Sequence, residues 1–206
     1  DLDVIDQLHS FWSHVQADGG DIVVTRNDGT TRLPVEIVSI DSVTNFNGEV
    51  WFKGDLSSST DTVFYLYYGN PGVEQPAVDA EFGRDEVWTN GYEAVYHMGG
   101  SGDLTDSTGK SNTGVNTGTD ASTAGELYAA RDAVNANGDY VAPAVTAAEY
   151  ATYINDLTVS FWVNPDGTTS DRMAFGASGE DSLYINQYAN NWVIGVDNLV
   201  NQATGQ

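Results

Sequence analysis

The chain's 206 residues, 40% of them hydrophobic, suffice for one large domain or two small ones with a buried core. Seven basic residues face thirty acidic ones, a formal net charge of -23, and such a field repels nucleic-acid phosphates and anionic membranes. There are no cysteines, which excludes disulfides and thiolate metal sites. No apolar run approaches the ~18 residues that span a bilayer, so membrane insertion is not expected.

Val4, Leu8, Phe11, Trp12 and Val15 recur at helical spacing and predict one short amphipathic helix over residues 3–16. Strand signals follow. Ile22–Thr25 is a short β-branched run, and Asn27-Asp28-Gly29 predicts a type I′ hairpin turn, because Asp-Gly supplies positive φ angles. Leu33–Ile40 resumes the strand pattern, and Glu49–Lys53 alternates apolar with polar residues. Thr62–Tyr68 is a dense aromatic strand stopped by Gly69-Asn70-Pro71, since Pro cannot donate to a ladder. Residues 72–86 are polar and read as a connection, with a module boundary near residue 80.

Trp88–Met98 restarts the β pattern. Residues 99–139 read as a long loop region with one short strand near Gly125–Ala130. Leu157–Val163 is the clearest strand of the second half, with Trp162, like Trp51 and Trp88, expected in core packing. Met173–Gly176, Ser182–Gln187 and Trp192–Val196 predict three successive antiparallel strands, turned at Ser178-Gly179 and Asn190-Asn191. The expected fold class is therefore all-β: two β-sandwich, jelly-roll-like modules, 1–80 and 81–206, with one short N-terminal helix. The second module is short of strands and is expected to be incomplete. An opening at Asp1 with no Met is expected to lie inside a longer protein or after processing.

Phe11-Trp12, Asp18–Ile22, Asp28-Gly29-Thr30, Leu33-Pro34 and Tyr67–Pro71 carry a resemblance. This first part resembles a β-rich domain family of unknown function that stands directly before laminin-G-like modules. The remainder is similar to the N-terminal part of a concanavalin A/laminin-G-like jelly roll, on Tyr96-His97-Met98, Asp106–Gly109 with Asn112, and Thr158–Pro165. The resemblance implies segments of large secreted or surface proteins, or of viral tail and capsid-surface proteins. For the second module it implies carbohydrate or protein binding, sometimes with calcium.

Candidate chemistry is sparse. Asp103, Asp106 and Asn112 in a Gly/Ser-rich loop could supply oxygens to Ca2+, although the spacing is not that of an EF-hand and Asx turns explain the same residues. Asp18 and Asp21 around Gly19-Gly20 read first as a turn. Tyr184, Tyr188 and Trp192, with Tyr92, are candidate stacking residues for a glycan, set against ordinary sheet packing. His97 lacks a nucleophile motif and reads as a core-edge histidine bonded to a loop. His9 and His14 are five apart, off the i, i+4 spacing of a zinc pair. The bulk of the acid is read as adaptation to salty surroundings.

The expected function is a non-enzymatic surface structural or adhesive protein, a virion fibre, spike or decoration component, located outside the cell or on a virion. Expected partners are other structural proteins or copies of itself, and a glycan or host-surface receptor, with no nucleic acid. The alternatives are a carbohydrate-binding accessory module of a secreted polysaccharide-active enzyme, a bacterial adhesin, or a small hydrolase. None of the thirty acids sits in a recognisable glycosidase motif.

Overall fold

The computed structural model describes residues 5–100, 102–133, 139–142, 158–164, 172–176, 182–188 and 191–197; the side chains of 5–9, 123, 124, 128 and 172–197 are outside that description. The protein is mainly β. It divides into two compact units, Asp1–Val134 with Gly138–Ala144, and Asn135–Asn137 with Val145–Gln206. The division expected near residue 80 falls inside the first unit.

Helix α1, Ile5–His14, is followed by Val15, whose N–H donates to the Phe11 carbonyl at 2.9 Å. Phe11 meets Tyr68 edge to face at 4.9 Å, and Trp12 lies 6.5 Å from Phe46. The Asp18–Asp21 loop then closes on itself. Asp18 caps Gly20, and the buried Asp21 accepts from the backbone N–H groups of Gln16, Gly69 and Asn70. One carboxylate thus fastens the start of the fold to the Gly69-Asn70-Pro71 stop, some fifty residues away.

Strand β1, Val23–Arg26, pairs antiparallel with β4, Phe64–Tyr67, so that Val24 faces Leu66. The turn between β1 and Leu33 departs from the type I′ expectation. Only Gly29 has positive φ, at 70°, and its N–H donates to the Arg26 carbonyl. This is a tight turn with a left-handed glycine after it, while Asp28 caps Thr30 and Thr31 instead of adopting positive φ itself. Strands β2, Val35–Asp41, and β3, Asn47–Phe52, form a second antiparallel pair with a bulge between Ile37 and Ser39. Alternation along β2 sends Val35 and Ile37 into a cluster with Val24, Leu33, Val50 and Phe64. The same alternation turns Glu36 to the opposite face.

That face is covered by later chain. The Val35 N–H donates to the Phe82 carbonyl at 3.2 Å, and a 3-10 helix, Arg84–Trp88, packs on β2. The strand expected over Trp88–Met98 does not form. The backbone N–H of Val95 is taken by the Asp106 carboxylate and its carbonyl by Ser107, and Met98 has φ of 54°. A side-chain acceptor, a loop N–H donor and a left-handed residue replace the ladder there. The loop expected over 99–139 holds more strand than one: β5, Val115–Thr117, pairs with β8, Tyr140–Ala142, and β6, Asp120–Gly125, pairs with β7, Tyr128–Asp132.

In the second unit β9, Arg172–Gly176, β10, Ser182–Tyr188, and β11, Asn191–Asp197, form an antiparallel sheet in the order β11-β10-β9, as their alternation predicts. The two expected turns lie wholly or partly outside the described residues. The Leu157–Val163 expectation fails over its described part: residues 158–164 make no strand. Trp162, expected in the core, is 73% exposed, since no described strand pairs with this segment to cover it.

Candidate functional site

Among the described residues of the first unit, polar side chains concentrate about His97. The imidazole lies between two carboxylates, with Nε2 at 3.1 Å from Glu36 Oε2 and Nδ1 at 3.0 Å from Glu49 Oε1. Glu36 comes from β2 and Glu49 from β3, on the face left free by the apolar cluster. Their other donors are as well defined. Trp88 Nε1 donates to Glu36 Oε2 at 2.6 Å, Ser107 Oγ to Glu36 Oε1 at 2.5 Å, and Trp51 Nε1 to Glu49 Oε1 at 2.6 Å. The two indoles lie 5.3 Å apart, each 6.0 Å from the His97 ring, and so cover one side of the cluster.

Protonation follows from this geometry. A carboxylate faces each ring nitrogen at hydrogen-bond distance, an arrangement that favours the doubly protonated imidazolium over the neutral ring. Burial pushes the His97 pKa down, but the bond and charge of Glu36, with those of Glu49, outweigh it and leave it raised. For Glu36 burial is likewise the largest single influence and pushes up. The bonds from His97 and Ser107, the His97 charge and the Trp88 bond together leave it lowered. A cleft of about 560 Å³ opens beside the cluster, with Ser39, Arg84 and Asp103 on its wall as well as Glu36, His97 and Ser107.

Sequence reasoning singled out His97 but missed both glutamates. His97 was expected on a loop partner, and the partners are instead strand carboxylates 61 and 48 residues away. The one available signal was local: Glu36 interrupts a β-branched run, Val35–Val38, at a position that β alternation removes from the apolar face.

The proposed ion loop has a different internal logic. Asp106, 3% exposed, accepts from the N–H groups of Val95, Thr108 and Asn112 and from the Thr108 hydroxyl. Asn112 donates its side-chain amide to the Glu93 carbonyl, and its own carbonyl accepts from the Tyr96 hydroxyl. Burial, followed by the Asp106 charge, pushes the Tyr96 phenol up to about 12. Asp103 accepts from the Asn116 N–H at 2.9 Å. Among the described residues no group of three or more His, Cys, Asp or Glu could hold a metal ion.

The candidate stacking residues are divided by register. Tyr184 stands opposite Gly195, Tyr188 opposite Asn191 and Trp192 opposite Gln187. Trp192 is therefore one residue out of step with the two tyrosines, which the period of two assigns to different faces of the ladder. Their side chains lie outside the described residues. Tyr92 rests edge to face on Trp88 at 5.1 Å with 47% exposure. His14 Nδ1 is spent on the Ser10 carbonyl and the Ser13 hydroxyl. Among the described residues no helix is long and apolar enough to cross a membrane. Comparison of the chain with protein-family models, with curated proteins and with solved structures finds no match in any of the three.

Proposed function

We propose that the chain is a non-enzymatic structural and adhesive protein of a virion or cell surface, built from jelly-roll-like modules and acting by binding. The observation that carries this reading is the saturation of its polar centre. Both nitrogens of His97 and both oxygens of Glu36 are engaged inside the protein. A general base needs a free nitrogen facing a substrate proton. A nucleophile relay places histidine between hydroxyl and carboxylate, whereas Ser107 and His97 here occupy the two oxygens of one carboxylate. A glycosidase acid needs a carboxyl whose pKa is raised, and that of Glu36 is lowered.

The cluster instead works as a clasp. It joins the β2–β3 pair to the 84–108 segment, and Asp106 and Asp21 fasten two further loops in the same way. Such stapling suits a molecule that must hold its surface in place outside the cell without disulfides. The acid surplus keeps that surface soluble in salty surroundings. Asp106, with four donors on its two oxygens, supports a loop staple over a calcium ligand. Glycan recognition rests on the laminin-G-like resemblance and on one face of the β10–β11 ladder, that of Tyr184 and Tyr188 or that of Trp192.

The test is glycan binding by the intact chain beside Tyr188→Ala, Trp192→Ala and Glu36→Gln. The reading expects one of the two aromatic variants, the one on the binding face of the ladder, to lose most of the binding at unchanged fold while the other keeps it. It expects turnover of no glycan. Turnover abolished by Glu36→Gln in a folded variant would replace it with the hydrolase reading.

A further inference from the structure

We infer that β4 is a self-association strand, through which two copies of this chain pair edge to edge in an antiparallel ladder centred on Leu66. The inference deepens the architectural half of the reading above and rests on it.

Among the described residues β4 has β1 on one side and no strand on the other. The bonds of β1 show which amides on β4 are left open. The Val24 carbonyl accepts from Leu33 N–H and the Arg26 N–H donates to Thr31, so these two residues of β1 turn away from β4. Val23 and Thr25 therefore bond Tyr67 and Tyr65, and in an antiparallel ladder the amides of Phe64 and Leu66 then point outward. An unpaired edge of this kind is a template for another strand.

The side chains fit the same purpose. Val63, Tyr65, Leu66, Tyr67 and Tyr68 are all exposed. Natural edges are guarded by charge or proline, yet from Thr62 to Val73 the only guard is Pro71, and no charged residue occurs in a chain that carries thirty acids. A basic partner would find no carboxylate along this strip.

A second copy meets it in kind. Laid antiparallel about Leu66, Phe64 faces Tyr68 of the copy, Tyr65 faces Tyr67, and Leu66 faces itself. Aromatic pairs across a ladder are the favourable ones, and a self-complementary patch is what a two-fold dimer requires. About half of each tyrosine's ~150–250 Å², with Leu66 and Val63, gives roughly 400 Å² a copy and about 800 Å² in the pair. That is the scale of a weak, reversible contact, strengthened where copies are held close together.

The experiment is sedimentation equilibrium of the full chain at low and high sodium chloride, with oxidative cross-linking. Two copies of charge -23 repel, so the dimer should strengthen as salt screens them, and Leu66→Lys should leave a monomer at both salts. No native cysteine competes. Tyr65→Cys and Tyr67→Cys should each cross-link poorly alone and efficiently when mixed, because only the mixture sets thiol opposite thiol. A monomer at every salt, a dimer unaffected by Leu66→Lys, or equal cross-linking in all three samples would overturn the inference. Glycan binding with a monomeric wild type would leave the adhesive reading standing and the strand pairing refuted. A salt-dependent dimer that binds no glycan would do the reverse.

Discussion

Replacing Glu36 by Gln removes one of the two carboxylate charges that hold His97 while keeping the side chain's shape. Glu36 is 4% exposed and serves three donors, from Trp88, Ser107 and His97. The variant leaves a buried imidazolium with one carboxylate instead of two, and sets an amide NH2 against the donors on one of the former oxygens. Removing one partner of a buried pair costs about 3–5 kcal/mol. At ~2–4 °C per kcal/mol for a chain of this size, the first unit should melt roughly 6–20 °C lower.

The pH dependence has a definite sign. The His97 pKa is raised above its ordinary 6.5. Its contribution is therefore fully present below 6.5 and is lost as pH rises through the folded value. The Glu36 pKa is lowered from its ordinary 4.5, so its contribution is present above 4.5 and is lost as pH falls through the folded value. The wild-type melt should form a plateau between these two limits. Glu36→Gln should erase the acid limb belonging to this pair and draw the alkaline limb to lower pH. Thermal unfolding followed by tryptophan fluorescence is the assay, since Trp51 and Trp88 cover one side of the site. A variant melting within about 1 °C of wild type, or keeping its pH profile, would refute the clasp.

Asp21→Ala strands the N–H groups of Gln16, Gly69 and Asn70 and should cost about 2–4 kcal/mol in urea unfolding. Gly109→Ala should destabilise by about 1–3 kcal/mol, because φ is +73° and the new Cβ would lie 2.8 Å from an Asp85 oxygen. Gly91→Ala, with φ of +82° and open space around it, should cost less, and equal losses would refute the close approach. Asp28 should titrate near 2 by NMR, since the Thr31 hydroxyl and then the N–H groups of Thr31 and Thr30 hold its carboxylate; Thr31→Val should move it toward the ordinary range. Melting in calcium and in chelator should coincide if Asp106 is a staple, and a calcium-specific rise would return Asp103, Asp106 and Asn112 to an ion-binding role.

The sequence made legible those elements whose pattern is local. Alternation located β2, β3 and the β9–β11 ladder, and Gly69-Asn70-Pro71 marked the end of β4. Trp88–Met98 misled because its apolar spacing suits a strand, while the partners that capture its backbone, the Asp106 carboxylate and the Ser107 N–H, sit about ten residues further on. The strands at Val115–Thr117 and Asp120–Gly125 were hidden by Gly, Ser and Thr, which read as loop composition. The clasp was illegible for a further reason. His97, Glu36 and Glu49 carry no shared spacing, and only the packing of the 84–108 segment on β2 and β3 turns three separate polar residues into one buried unit. Asp21 and Asp106 were visible as turn formers, but their burial was not, since it depends on donors recruited from elsewhere in the fold.

The central claim, that this chain binds without turning over, is tested most directly by a glycan array incubated with the intact protein and read twice, at saturation and after prolonged exposure. The account predicts retention on a subset of glycans, undiminished at the second reading and with no released sugar. A blank array, or a signal that decays as sugar is released, would contradict it.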